Sequence, residues 1–216
     1  MSTMAINENN SYVVSTSIIN ALGANYAHKK AVVSIDMTND FIKTNYIHKG
    51  TKYQGTLVAP LGVTIIDEAG KLIDGAIEKN ISVLYVEDAH DKNSKELNDW
   101  PAHNMRGTPG AETVDELKRT GENVYKIAKD AHSGFENPAL DILLKEKGIS
   151  EVYVMGLVQE ICVLQTVNGF LDHGYKVNLV IDATVPFKPY DGFRAMQDME
   201  NRGVRMINLE DALDEL

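Results

Sequence analysis

The chain has 216 residues, 44% of them hydrophobic and 24% charged, which suits one large globular domain better than two small ones. A formal net charge of -10 without a Lys/Arg stripe argues against a nucleic-acid surface, and apolar runs of strand length broken by charge argue against a membrane span. The single cysteine, Cys162, excludes an internal disulfide, and the start "MSTMAINENN" lacks the pattern of a secretory signal, so a reduced, cytoplasmic setting is expected.

Residues 1–29, with the apolar stretch "YVVSTSIINAL", read as an N-terminal extension that could pack on the domain or on a neighbouring subunit. Residues 30–216 read as a single domain without internal repeats. The first strand is "AVVSI" (31–35), followed by "GVTIIDEAGKLIDGAIEKN" (62–80), whose Ile65, Ile66, Ala69, Leu72, Ile73, Ala76 and Ile77 share one helical face. Next come a strand at "ISVLYV" (81–86) and a loop over 91–110 rich in Asn, Pro and Gly, a length that in compact domains is commonly functional. A strand at "NVYKIA" (123–128), a helix at "NPALDILLKEKG" (137–148) and a strand at "EVYVM" (151–155) follow. A helix over 161–171, strands at "KVNLV" (176–180) and "VRMIN" (204–208) and a short solvated helix in "NLEDALDEL" complete the chain. Strands alternating with helices predict an α/β fold of three layers, with a mostly parallel six-stranded sheet covered by helices on both faces.

Reactive residues gather where strands end: Asp36 after the first, Asp88 and His90 after the second, Lys129 after the third and Cys162 shortly after the fourth. In open parallel sheets that carboxyl edge is where ligands bind. A lone cysteine is usually a small buried hydrophobe. Cys162, however, falls in the first turn of the helix expected over 161–171, where the dipole, free N–H groups and a nearby Lys129 would favour a thiolate nucleophile. The same N–H groups could receive an oxyanion. Asp36 could be a turn cap, or it could accept the thiol proton and return it to a leaving amine; Asp40 is its rival. Phe41 would offer a ring face to a flat substrate. Lys126 competes with Lys129, and strand alternation lets only one of them enter the site.

In "EDAHDKNSKELNDWPAHNMRGTPGAE", Asp88 and His90 project to one side of a strand end, His103 returns after a loop, and Glu96 is a possible fourth ligand. One carboxylate and two imidazoles suit Zn²⁺ or another first-row divalent ion with positions open to water or substrate. Glu87 should point away by alternation.

The motifs "SIDMTNDF", "EDAH", "WPAHNMRGTPGAE", "KDAHSGFENPALD" and "GLVQEICVLQTV" resemble, in order, those of the isochorismatase-like cysteine hydrolases, and within them the nicotinamidases. The resemblance spans residues 31 to about 185 and implies that superfamily's Rossmann-type topology. It implies a catalytic triad of Asp36, Lys129 and Cys162, metal ligands Asp88, His90 and His103 with Glu96 as the fourth seen in some members, and a pyridine ring held between Phe41 and Trp100. It also implies a cis peptide near Leu157 and Val158 that turns backbone N–H groups into an oxyanion hole. The implied reaction is hydrolysis of nicotinamide to nicotinate and ammonia through a thioester, with one divalent metal ion, zinc first and manganese or iron as alternatives. Oligomers are common in the family, so a homo-oligomer is expected. Gln159–Glu160 stands where a Thr-Asp pair is common, His132 where tyrosine is usual and Pro138 where threonine is frequent. The alternatives are a hydrolase of another small amide in the same superfamily, and a non-catalytic binding protein on the same fold.

Overall fold

A computed structural model describes residues 29–216. The proposed extension thus lies outside the described residues, except that Lys29 begins the first strand. The strands are β1 (Lys29–Ile35), β2 (Asn45–His48), β3 (Thr51–Gln54), β4 (Ser82–Asp88), β5 (Val124–Lys129), β6 (Ile149–Leu157), β7 (Lys176–Val185) and β8 (Arg205–Ile207). The α-helices are α1 (Asn39–Ile42), α2 (Ile66–Glu78), α3 (Ala139–Lys147), α4 (Leu164–Asp172), α5 (Pro189–Asn201) and α6 (Leu209–Glu215).

Six strands form one parallel sheet in the order β5-β4-β1-β6-β7-β8, while β2 and β3 make a separate antiparallel hairpin. Successive residues of a strand face opposite sides of a sheet, and both sides here are dry. Val32 of β1, Val83 and Tyr85 of β4 and Tyr153 and Met155 of β6 meet Ala69, Leu72 and Ile73 of α2. Val33 and Ile35, Leu84 and Val86, and Val152 and Val154 point the other way, towards Leu140 of α3, Phe170 of α4 and Met199 of α5. That alternation is why these strands read as unbroken apolar runs, and it gives the three layers expected from the sequence.

Several boundaries differ from the sequence reading. β7 runs to Val185 instead of stopping at Val180, because a register shift against β6 between Val154 and Gly156 lets pairing resume at Thr184. The helix expected over 161–171 is a π-helical turn (Gln159–Val163) leading into α4, so Cys162 sits in that turn and not in an α-helical first turn. The β2–β3 hairpin and α5 were not anticipated. The last helix is not merely solvated: Ala212 is fully buried, and Leu209, Leu213 and Leu216 pack on the face that α2 covers. Among the described residues no helix is long and apolar enough to cross a membrane.

Candidate active site

The strand order makes β5, β4, β1 and β6 consecutive neighbours, so their carboxyl ends form one continuous rim. Asp88 and Lys129 are register partners across β4 and β5, and Ile35 pairs with Gly156 on the other side of β1. At Gly156 (φ +117°) a Cβ would lie 2.1 Å from the Ile35 carbonyl oxygen; only glycine lets the backbones that launch Asp36 and Cys162 approach so closely.

Asp36, fully buried, leaves β1 at φ +54°, a left-handed conformation that costs a non-glycine residue about 1–3 kcal/mol and persists where the surroundings over-determine it. Those surroundings are explicit. Its N–H donates to Val86 O at 3.0 Å, its Oδ1 accepts from Asp88 N at 2.8 Å, and its Oδ2 lies 2.8 Å from Lys129 Nζ. Lys129, itself 1% exposed, also donates to Asp88 Oδ1. Carboxylate oxygens of Asp36 and Asp88 and the Cys162 sulfur lie within 4.8 Å of one another. The structure thus brings Asp36, Lys129 and Cys162 together, and it separates both rivals from them. Lys126 pairs with Glu87, and Asp40 accepts from Asn104 N at 2.8 Å, bracing the loop behind His103. Glu87 does point away from the site, but into a buried contact with Thr113 Oγ1 at 2.7 Å.

Burial and the neighbouring Asp88 charge push the Asp36 carboxyl up to about 7, against the pull of Lys129. Burial likewise pushes the Cys162 thiol well up, with Lys129 opposing. Burial of the sulfur thus works against the resting thiolate expected from a helix dipole. For Lys129 the balance reverses, since Asp36, Asp88 and Cys162 outweigh burial and keep the ammonium charged.

A second cluster adjoins the first. Ligand atoms of Asp88, His90, Glu96 and His103 lie within 4.8 Å of one another. Asp88 Oδ2 and His90 Nε2 are buried without hydrogen-bond partners and face each other at 3.4 Å. Two ligand atoms about 2.1 Å from a tetrahedral ion stand about 3.4 Å apart, so the spacing suits a divalent metal. The tautomers agree. His90 Nδ1 faces Asp130 Oδ1 at 2.8 Å and His103 Nδ1 faces the Pro101 carbonyl at 2.7 Å; acceptors there hold a proton on Nδ1 and leave each Nε2 as the nitrogen available to an ion. Without an ion, Asp88, Asp130 and Glu96 outweigh burial and push the His90 imidazole up to about 9, so Nε2 also carries a proton, which a cation drawn by the same anionic field would displace.

Both clusters open on one cavity of about 420 Å³, its open mouth included. Its walls contain all four expected substrate contacts, Phe41, Trp100, Leu157 and Val158, together with Cys162. The Leu157–Val158 peptide is cis. Ile161, His132 and Phe187 also line it. His132 Nδ1 stands 3.0 Å from Glu96 Oε1, and Phe187 packs edge-on to Trp100 with ring centroids 6.4 Å apart. Phe187 escaped the sequence reading because β7 was ended five residues early; placing it after Val185 puts it on the same rim as the other site residues. Asp130 and His132 carried a signal, as polar residues directly beyond β5.

The isochorismatase domain family matches residues 30–211. A probable inactive nicotinamidase of Arabidopsis thaliana is 29% identical over 196 residues, covering 86% of this chain and 95% of that protein. The nicotinamidase of Escherichia coli (strain K12) is 26% identical over 217 residues, covering 84% and 96%. Among solved structures, the pyrazinamidase of Pyrococcus horikoshii in complex with zinc aligns with a TM-score of 0.73 at 32% identity, covering 83% of this chain and 99% of that one.

Proposed function

The chain belongs to the isochorismatase family of hydrolases, and on that premise we propose that it is a nicotinamidase, a cysteine amidohydrolase converting nicotinamide to nicotinate and ammonia. The observation that carries the reading is one cavity lined by Cys162 and by a cluster fit for a divalent ion, with the flat rings of Phe41 and Trp100 in its walls.

In this reading Asp36 accepts the Cys162 proton as the sulfur attacks the carboxamide carbon, and the backbone N–H groups of Val158 and Cys162 receive the oxyanion. The tetrahedral adduct collapses to a thioester, breaking the C–N bond, and Asp36 hands its proton to the departing ammonia. Asp36 then takes a proton from water, whose oxygen attacks the thioester carbonyl; nicotinate leaves and the sulfur recovers a proton. Lys129, in contact with Asp36, steadies the negative charge as it moves between acid and sulfur. Asp88, His90, Glu96 and His103 would hold one divalent ion, zinc by the chemistry of the donor set, which when bound supplies a Lewis acid for the pyridine ring nitrogen.

The test is ammonia release from nicotinamide, pyrazinamide and a non-aromatic amide. Nicotinamide should be hydrolysed fastest, and Cys162→Ala should abolish release while leaving the unfolding transition in place. Substantial turnover by Cys162→Ala would refute the nucleophile, and preference for the non-aromatic amide would refute the substrate.

A further inference from the structure

Glu160 lies two residues before the nucleophile and does not line the cavity. Its carboxylate instead crosses to the segment after β7. There Oε1 and Oε2 accept from Phe187 N at 3.0 and 3.1 Å, and Oε1 accepts from Lys188 N at 2.6 Å. Lys188 is the N-cap of the 13-residue α5, so the charge also meets the positive end of that helix. Gln159, 5% exposed, makes a parallel tie, its Nε2 donating to Thr184 O at 3.1 Å. Beneath them α5 is seated closely: a Cβ on Gly192 would lie 2.3 Å from Pro186 and 2.7 Å from Gln159 Oε1. Both side chains ahead of the nucleophile therefore clasp the segment that carries Phe187, the ring facing Trp100 across the cavity wall.

We propose that Glu160 is a positioning residue that fixes the width of the substrate slot, holding Phe187 against Trp100 from behind the wall without touching substrate. A carboxylate accepting from two backbone N–H groups, one of them shared between its two oxygens, is a stiffer anchor than a hydroxyl or amide could provide, because charge-assisted bonds are about twice as strong as neutral ones. On the nicotinamidase reading the slot takes a flat single ring, and a looser Phe187 would bind that ring less tightly while admitting wider ones. The claim about substrate rests on the nicotinamidase reading; the claim about the wall does not.

Trp100 is the only tryptophan in the chain, so its fluorescence reports the wall directly. Glu160→Ala should raise acrylamide quenching of Trp100 to the level of Phe187→Ala, and the double variant should go no further, because both act through one ring. Glu160→Gln, which keeps one acceptor oxygen and is the less disruptive change, should give an intermediate value. On nicotinamide, Glu160→Ala should raise KM about tenfold with a smaller loss of kcat, and should narrow the preference over a bicyclic carboxamide. Wild-type quenching in both Glu160 variants, or additive quenching in the double variant, would overturn the proposal. So would a fall in kcat with KM unchanged. If the wild-type chain does not hydrolyse nicotinamide, the nicotinamidase reading fails by itself and the quenching series still decides whether Glu160 holds the wall.

Discussion

Asp36→Asn separates the cost of the buried acid from its use. Burial raises the Asp36 carboxyl from 3.8 to about 7 in the folded chain. A group whose folded value is raised favours folding in its protonated form, fully below pH 3.8, and loses that advantage as pH climbs through the folded value. With 1.36 kcal/mol per pKa unit, holding Asp36 at its raised folded value costs about 2 kcal/mol at pH 5, where the folded group is still neutral, and about 4 kcal/mol at pH 8. Asparagine stays neutral throughout and can keep the bond from Asp88 N, while the pull of Lys129 on the ionised carboxylate is already contained in the folded value of about 7. The variant's stability relative to wild type should therefore improve by about 2 kcal/mol between pH 5 and pH 8. Urea unfolding at the two pH values measures this, on protein treated with chelator so that no ion alters the charge on Asp88. Ammonia release should be lost in the same variant. A stability difference that does not change with pH, or that moves in favour of wild type as pH rises, would refute the argument that burial dominates this carboxyl.

Asp130→Asn should weaken zinc binding by about tenfold or more, read by competition with a chelating dye, because the neutral amide holds His90 Nδ1 less firmly than the carboxylate does; unchanged affinity would remove Asp130 from the support of the site. Gly156→Ala should cost more than about 4 kcal/mol in urea unfolding or leave no soluble protein, since its Cβ would strike the Ile35 backbone at a left-handed φ. A near-wild-type midpoint would mean that β1 and β6 can separate at the rim.

The sheet was legible because each central strand is buried on both faces and so appears as a solid apolar run ending in a reactive residue. Asp36 and Asp88 could be marked by that rule, Lys129 by its place at the end of the edge strand β5 and Cys162 by its place in the turn beyond β6, and the strand order then makes their segments adjacent. The rule failed at β7, where Ile181 and Asp182 are exposed in mid-strand and imitate an end, which hid Phe187. It was silent on α5, whose buried residues Gly192, Ala195 and Met199 are too small and sparse to draw an apolar stripe. The upward push on the Cys162 thiol was not legible for a different reason: position on a helix is visible in sequence, whereas burial is a property of everything packed around the sulfur. The bonds made by Glu160 join residues 27 and 28 positions apart, and no local pattern announces them.

One ammonium serves two masters here, for Lys129 grips Asp36 with the same Nζ that grips Asp88. An engineer who replaced Asp88 to dispense with the ion would also strip that lysine of half its anionic company and unsettle the acid beside the sulfur. Redesigning either half of this centre means redrawing both, and a variant library that randomises only the ion-binding loop should be depleted of active members for that reason.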